Sequence, residues 1–181
     1  MMPIAPLMIE HRLIERIVPL IKDELRKISE QKRVDPRFID TAVDFFRTYA
    51  DRCHHGKEED IFFRDLATKE LDPEHKKVMN ELMEEHVHAR RTVGGLVNAK
   101  ERYVRGDKGA IGDVVALLKE LAEFYPKHIE KEDQHFFIPC MKYFTKQEKD
   151  ELLKEFYEFD RLLIHEKYKK TIEQLEGAIA R

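Results

Sequence analysis

The sequence predicts an all-α fold: an antiparallel up-down-up-down four-helix bundle with a C-terminal helical extension. Three observations carry this expectation. Apolar residues recur at helical spacing, and no stretch alternates with the period of two and the β-branched enrichment of a strand. Only seven glycines and seven prolines occur in 181 residues. Charged residues make up 38% of the chain, against roughly 25% in an average globular protein, a mix that suits long exposed helix faces over one apolar seam.

The first segment runs from about Leu7 to about Lys32, with Leu13, Ile14, Ile17, Val18, Ile21, Leu25 and Ile28 at helical spacing. Pro19 lies inside it and removes one donor, so a kink is expected there. Asp35-Pro36 reads as an N-cap and first helical position, opening a second segment to about Lys69. Asp72-Pro73 repeats the signal and opens a third, to about Arg105. After the turn Gly106-Asp107-Lys108-Gly109, a fourth continues to about Phe144, interrupted by Pro126 and Pro139. Thr145 and Glu148 form a capping box that opens a helical tail to about Ile179. Residues 1–144 are therefore expected to form the bundle. Residues 145–181 form an amphipathic extension that covers one side of it, with dimerisation as the rival reading.

Composition excludes several classes of function. Thirty-three Lys and Arg nearly balance 36 Asp and Glu, a net charge of −3, which leaves no basic field for nucleic acid. The longest apolar runs, such as Val114–Leu118, are far too short to span a bilayer. The opening Met1–Leu7 has neither the charged start nor the apolar run of a signal peptide. Two cysteines make no disulfide framework. A soluble cytoplasmic protein is expected, with neither nucleic acid nor membrane as partner.

The most informative feature is an internal repeat. His54-His55-Gly56-Lys57-Glu58-Glu59-Asp60-Ile61-Phe62-Phe63 and His128-Ile129-Glu130-Lys131-Glu132-Asp133-Gln134-His135-Phe136-Phe137 share the pattern H-x-x-K-E-(acid)-x-x-F-F, offset by 74 residues. Glu10-His11 and Glu85-His86 form a second pair, offset by 75. The bundle thus reads as two similar helical hairpins. His11 and His54 are 43 residues apart and His86 and His128 are 42 apart, so antiparallel packing brings each pair to a similar height. His11, His54, Glu58, His86, His128 and Glu132 are expected to converge on one level of the core. The i,i+4 pairs His54/Glu58 and His128/Glu132 each project from one helix face.

Taken singly, an acid four residues after a histidine is weak evidence in a chain this acidic. Its repetition in register with Lys and Phe-Phe is the stronger signal. Uncompensated Glu and His in a core are costly; a metal site compensates them, and mutually neutralised pairs without metal are the rival reading. Imidazole plus carboxylate without thiolate suits iron or manganese, while affinity alone also favours zinc. Two glutamates can bridge two metals that each take two histidines. Solvent, an oxo or hydroxo bridge, or an exogenous ligand then fills the remaining positions.

With these motifs the sequence resembles the hemerythrin-like, HHE cation-binding family over roughly residues 5–144. The resemblance implies a non-haem diiron site inside a four-helix bundle, with His11, His54, Glu58, His86, His128 and Glu132 as ligands. The oxygen-carrying members have a second histidine one turn after the third-helix ligand; Arg90 stands there in this chain. A four-His, two-Glu variant is therefore expected, closer to the bacterial and archaeal hemerythrin-like proteins and to the iron–sulfur repair type. The N-terminal cysteine-containing module usual in the repair proteins does not occur in this sequence. The implied function is binding of dioxygen, nitric oxide or peroxide, with a redox partner protein if turnover occurs. The alternatives are a diiron enzyme (peroxidase, nitric oxide reductase or iron–sulfur repair type), iron storage, or a metal-stabilised structural bundle.

Neighbouring residues have duller readings. His55 and Glu59 sit one position off the ligand register, about 100° round an α-helix, and are expected beside the site or exposed rather than in the ligand set. Glu15, one turn after His11 on the same side, is read as orienting a ligand, with metal binding as the lesser alternative. His135 is expected to be capped or exposed, and Tyr49 and Tyr125 to be core aromatics. Cys53 should pack as a small hydrophobe, with Cys140 too far along the helix for a disulfide. Pro126 is read as a kink that sets a ligand angle or admits water, and Gly94-Gly95 as a similar weak point in the third helix or a place of close helix approach. His165 and Glu166 are read as solvated surface, on a stretch able to reach over a bundle opening.

Overall fold

The computed structural model describes residues 2–179, with side chains described as far as Leu163. The expectation for His165 and Glu166 therefore lies outside the described residues. The described residues are helical, with no strand among them. The first segment is two helices, α1 (Ala5–Glu15) and α2 (Ile17–Gln31), broken at Arg16. Pro19 explains the break: it has no N–H to offer the carbonyl of Glu15, and the Arg16 amide turns back to Leu13 instead, at 3.2 Å. Helix α2 ends on Lys32 in the left-handed region, φ 54°.

The second segment begins as α3 (Pro36–Asp44), capped by Asp35, whose side chain accepts from the amides of Arg37 and Phe38. It continues as two wider, π-helical stretches, π1 (Phe45–His55) and π2 (Glu58–Phe63), and closes with the short α4 (Arg64–Leu66). The third segment is α5 (Pro73–Val104). Asp72 precedes it but does not cap it: its carboxylate is taken by Lys142 and Tyr143 instead. The fourth is α6 (Ala110–Glu130), π3 (Lys131–Phe137), α7 (Ile138–Cys140) and a 3₁₀ turn, Met141–Tyr143. Pro126 lies inside α6 without ending it. The tail is α8 (Lys146–Ile179), with the capping box formed: Thr145 N–H donates to Glu148 Oε2 at 2.8 Å, and Glu148 N–H to Thr145 Oγ1 at 3.3 Å.

Helix α5 packs on α6 and α3, α2 on α6, and α1 on π1. Gly95 serves the α5–α6 contact, since a Cβ there would lie 3.3 Å from Leu117, whereas Gly94 faces open space. Two apolar clusters result. One includes Ile14, Ala50, Val93 and Tyr125. The other includes Leu7, Ile61, Leu82 and Phe136. Each ligand-bearing segment thus runs from one cluster to the other, and the predicted metal-binding side chains fall between them. The second cluster extends onto α8, where Leu152 and Phe156 are buried.

Candidate metal centre

All six predicted side chains are buried, and they meet. His11 Nε2 lies 3.1 Å from Glu132 Oε2, His54 Nε2 3.1 Å from Glu58 Oε1, His86 Nε2 3.4 Å from Glu58 Oε2, and His128 Nε2 3.4 Å from Glu132 Oε2. His11, His54, Glu58 and Glu132 offer four donor atoms within 4.8 Å of one another. His55, His86 and His128 offer three more at the same mutual reach.

His55, expected beside the site or exposed, lies beside the site. It is as buried as its neighbour, and its ring stacks on His86 at 3.9 Å between centroids and 10° between planes. The physical reason is the π1 stretch, in which the N–H bonds five residues back instead of four. The wider turn holds more residues, so consecutive side chains diverge by less than the 100° of an α-helix, and His54 and His55 both face inward. Glu58 and Glu132 lie in π2 and π3, the other two wide stretches.

Every one of the four predicted histidines is backed at Nδ1 by a carboxylate that is itself held by a cation. His54 donates to Glu10 at 2.9 Å, and Glu10 also accepts from Lys57. His128 donates to Glu85 at 2.8 Å, and Glu85 from Lys131. His11 donates to Asp133 at 2.7 Å, which pairs with Arg12. His86 donates to Glu59 at 2.6 Å, which pairs with Arg90. His54 and His128 are backed from within their own hairpin, His11 and His86 from the other. Such partners fix ring orientation and raise donor basicity in metal sites. Burial pushes Glu10, Glu59 and Glu85 up, and the imidazoles and cations beside them more than reverse it, leaving all three below the usual carboxylate range.

The consequence lies at Nε2. An ionised carboxylate only accepts, so each Nδ1 carries the proton and a neutral ring presents a lone pair at Nε2. That lone pair faces Glu58 or Glu132, another acceptor. Among the described residues, ten buried side-chain nitrogen and oxygen atoms have no hydrogen-bond partner. All ten belong to His11, His54, His55, Glu58, His86, His128 and Glu132. Opposed acceptors at such distances need a cation between them, a metal ion or protons on the rings. Burial opposes the second choice, but the carboxylates at both ends prevail, and the pKa values of His11 and His86 rise to about 10. Burial, with His86 and His128 beside it, instead drives His55 well below 6.5 and keeps it neutral.

The remaining expectations divide. Glu15 pairs with Arg12 at 3.1 Å, away from the centre, and His135 is exposed. Tyr125 is buried and stacked on Phe46 at 5.0 Å; Tyr49 is half-buried against Phe45. Both cysteines are free, but Cys53 is no mere hydrophobe: its thiol donates to Asp160 Oδ1 at 3.4 Å. Arg90 joins Glu59 to Asp51, with 2.8 Å to the latter. Beside it is a cavity of about 90 Å³, walled by Phe46, Ala89, Val93 and Tyr125 and reaching His55.

The sequence signal for the backing acids was present in the repeat: Glu10/Glu85, Lys57/Lys131 and Glu59/Asp133 recur with the predicted ligands. No helix among the described residues is long and apolar enough to cross a membrane. Comparison with curated proteins and with solved structures finds no match. The sequence model described as the hemerythrin HHE cation binding domain matches residues 2–138, a span that holds every residue of the centre and every acid that backs it. The chain belongs to the hemerythrin HHE cation-binding family.

Proposed function

We propose that this is a non-haem diiron protein that binds a small oxidising ligand, dioxygen, nitric oxide or peroxide, for sensing, carriage or detoxification. One observation carries the reading: the ten unpartnered buried atoms are nitrogen and oxygen donors gathered at a single level of the core. Donors of this type without thiolate favour iron or manganese, with zinc the competitor on affinity. His11, His54, Glu58 and Glu132 would hold one ion, and His55, His86 and His128 the other, with the glutamates shared. In this reading the helices form an up-down-up-down bundle, as the alternating run between the two apolar clusters supports.

Iron there would supply reversible one-electron chemistry and an open position for the ligand. The protein's own part is different. The backing acids hold each imidazole at a fixed angle, the apolar clusters flank the centre at both ends, and a small cavity of about 90 Å³ reaches His55. Two free thiols are consistent with a cytoplasmic setting. The test is metal content of anaerobically purified protein, where about two irons per chain are expected. Folded protein that is metal-free and refuses iron on reconstitution would overturn the reading. His54→Ala and Glu132→Ala should each lower the metal content.

A further inference from the structure

The two hairpins are backed in parallel ways, with one exception. Arg12, Arg90 and Lys131 all reach solvent, whereas Lys57 is 0% exposed. A buried ammonium is costly unless fully paired. Its counterpart Lys131 finds both its acids, Glu81 and Glu85, on α5. Lys57 finds only Glu10 within the family domain. Its second acid is Asp160, at 2.6 Å, supplied by α8 from beyond residue 138, where the family match ends.

The docking of α8 at this point is built, not incidental. Gly56 leaves room for the Phe159 ring, which a Cβ would meet at 2.8 Å. Cys53 donates to the same Asp160 oxygen that takes Lys57. Phe156 and Leu152 bury their side chains one and two turns earlier. A continuous polar path therefore runs from α8 to the centre: Asp160 to Lys57, Lys57 to Glu10, Glu10 to His54 Nδ1. With Asp160 withdrawn, Glu10 is left, among the described residues, as the sole counter-charge of a buried lysine and is pulled between that lysine and the imidazole.

We propose that Asp160 is a positioning residue for the metal centre, acting through Lys57 and Glu10 on His54, so that docking of α8 and metal occupancy on the His54 side are coupled. The inference rests on the metal-binding reading above. Coupling is reciprocal: metal on that side tightens α8, and release of α8 loosens that metal. The helix outside the family domain thereby becomes the place where occupancy is reported at the surface.

The full-length chain tests this with cobalt(II) and zinc(II) as probes. In Asp160→Asn, one of two metal equivalents should bind about tenfold more weakly, the lower end of what outer partners contribute, with the other unchanged. Asp160→Glu should recover part of the loss. In a Lys57→Met background, which removes the buried charge and so protects folding, Asp160→Asn should have no further effect. Zinc should also slow iodoacetamide labelling of Cys53 in the parent chain, and fail to do so in Asp160→Asn. Parent uptake with both affinities unchanged in Asp160→Asn would overturn the inference alone. An undiminished effect of Asp160→Asn in the Lys57→Met background would overturn the route through Lys57. A parent chain that binds neither probe would overturn the metal reading, and the inference with it.

Discussion

Replacing His55 by leucine separates a donor poised for metal from a residue that packs a core. In the metal-free protein His55 is a neutral ring with both nitrogens buried and unpartnered; Asp51 Oδ1 comes within 3.4 Å of Nδ1 without hydrogen-bonding geometry. A buried polar group left unsatisfied costs about 1–3 kcal/mol. Leucine removes both nitrogens and keeps a similar volume, while the stacked contact with His86 is lost at about 0.5–1.5 kcal/mol. The balance favours leucine by about 0.5–1.5 kcal/mol. In a chain of this size that is a rise of about 1–6 °C in melting temperature. Metal affinity should move the other way, falling by more than about tenfold, since even partners outside the ligand set are worth that much. The assay is thermal melting by circular dichroism in chelator, beside metal titration of the same preparations. A His55→Leu protein that melts lower than its parent and takes up metal normally would show that His55 packs the core and donates to nothing.

Two glycines in helical stretches should respond to alanine with opposite signs. Gly94→Ala meets nothing within 4 Å and should stabilise the fold by about 0.5–1 kcal/mol. Gly56→Ala pushes on the Phe159 ring and should lose about 1 kcal/mol, with faster proteolysis within α8; stabilisation by both substitutions would refute the close contact. For pH, His11 and His86 are raised from 6.5 to about 10 in the metal-free fold. A histidine raised on folding contributes fully below its unfolded value and loses that contribution as pH climbs through the folded one. Chelated protein should therefore lose stability between pH 6.5 and about 10, where metal-loaded protein, with its rings already deprotonated, should not. A melting temperature of the chelated protein that rises across this window would count against protons holding His11 and His86.

Much of the centre could be read from the sequence because it is written twice. The six predicted side chains recur at matched offsets, and the structure brings all six together. His55 could not be read this way. Its place depends on π-helical bonding in π1, and an α-helical wheel turns it away from the centre. No residue in Phe45–His55 announces such bonding, because the same side chains suit either helix. Pro19, Asp35 and Thr145 acted as local chemistry predicts, since each acts on partners within four residues of itself. Asp72 did not: Lys142 and Tyr143, remote in sequence, claim its carboxylate. Cys53 was misread for the same reason, its partner Asp160 lying 107 residues away.

The crossing of the backing contacts has a bearing on how the protein matures. His54 and His128 obtain their acids, Glu10 and Glu85, as soon as each hairpin has closed on itself. His11 and His86 obtain theirs, Asp133 and Glu59, only from the opposite hairpin. Neither half of the chain can therefore finish a metal-binding face alone. Two rings are set during local folding and two at final docking, so the centre becomes competent at the moment the two halves engage in register.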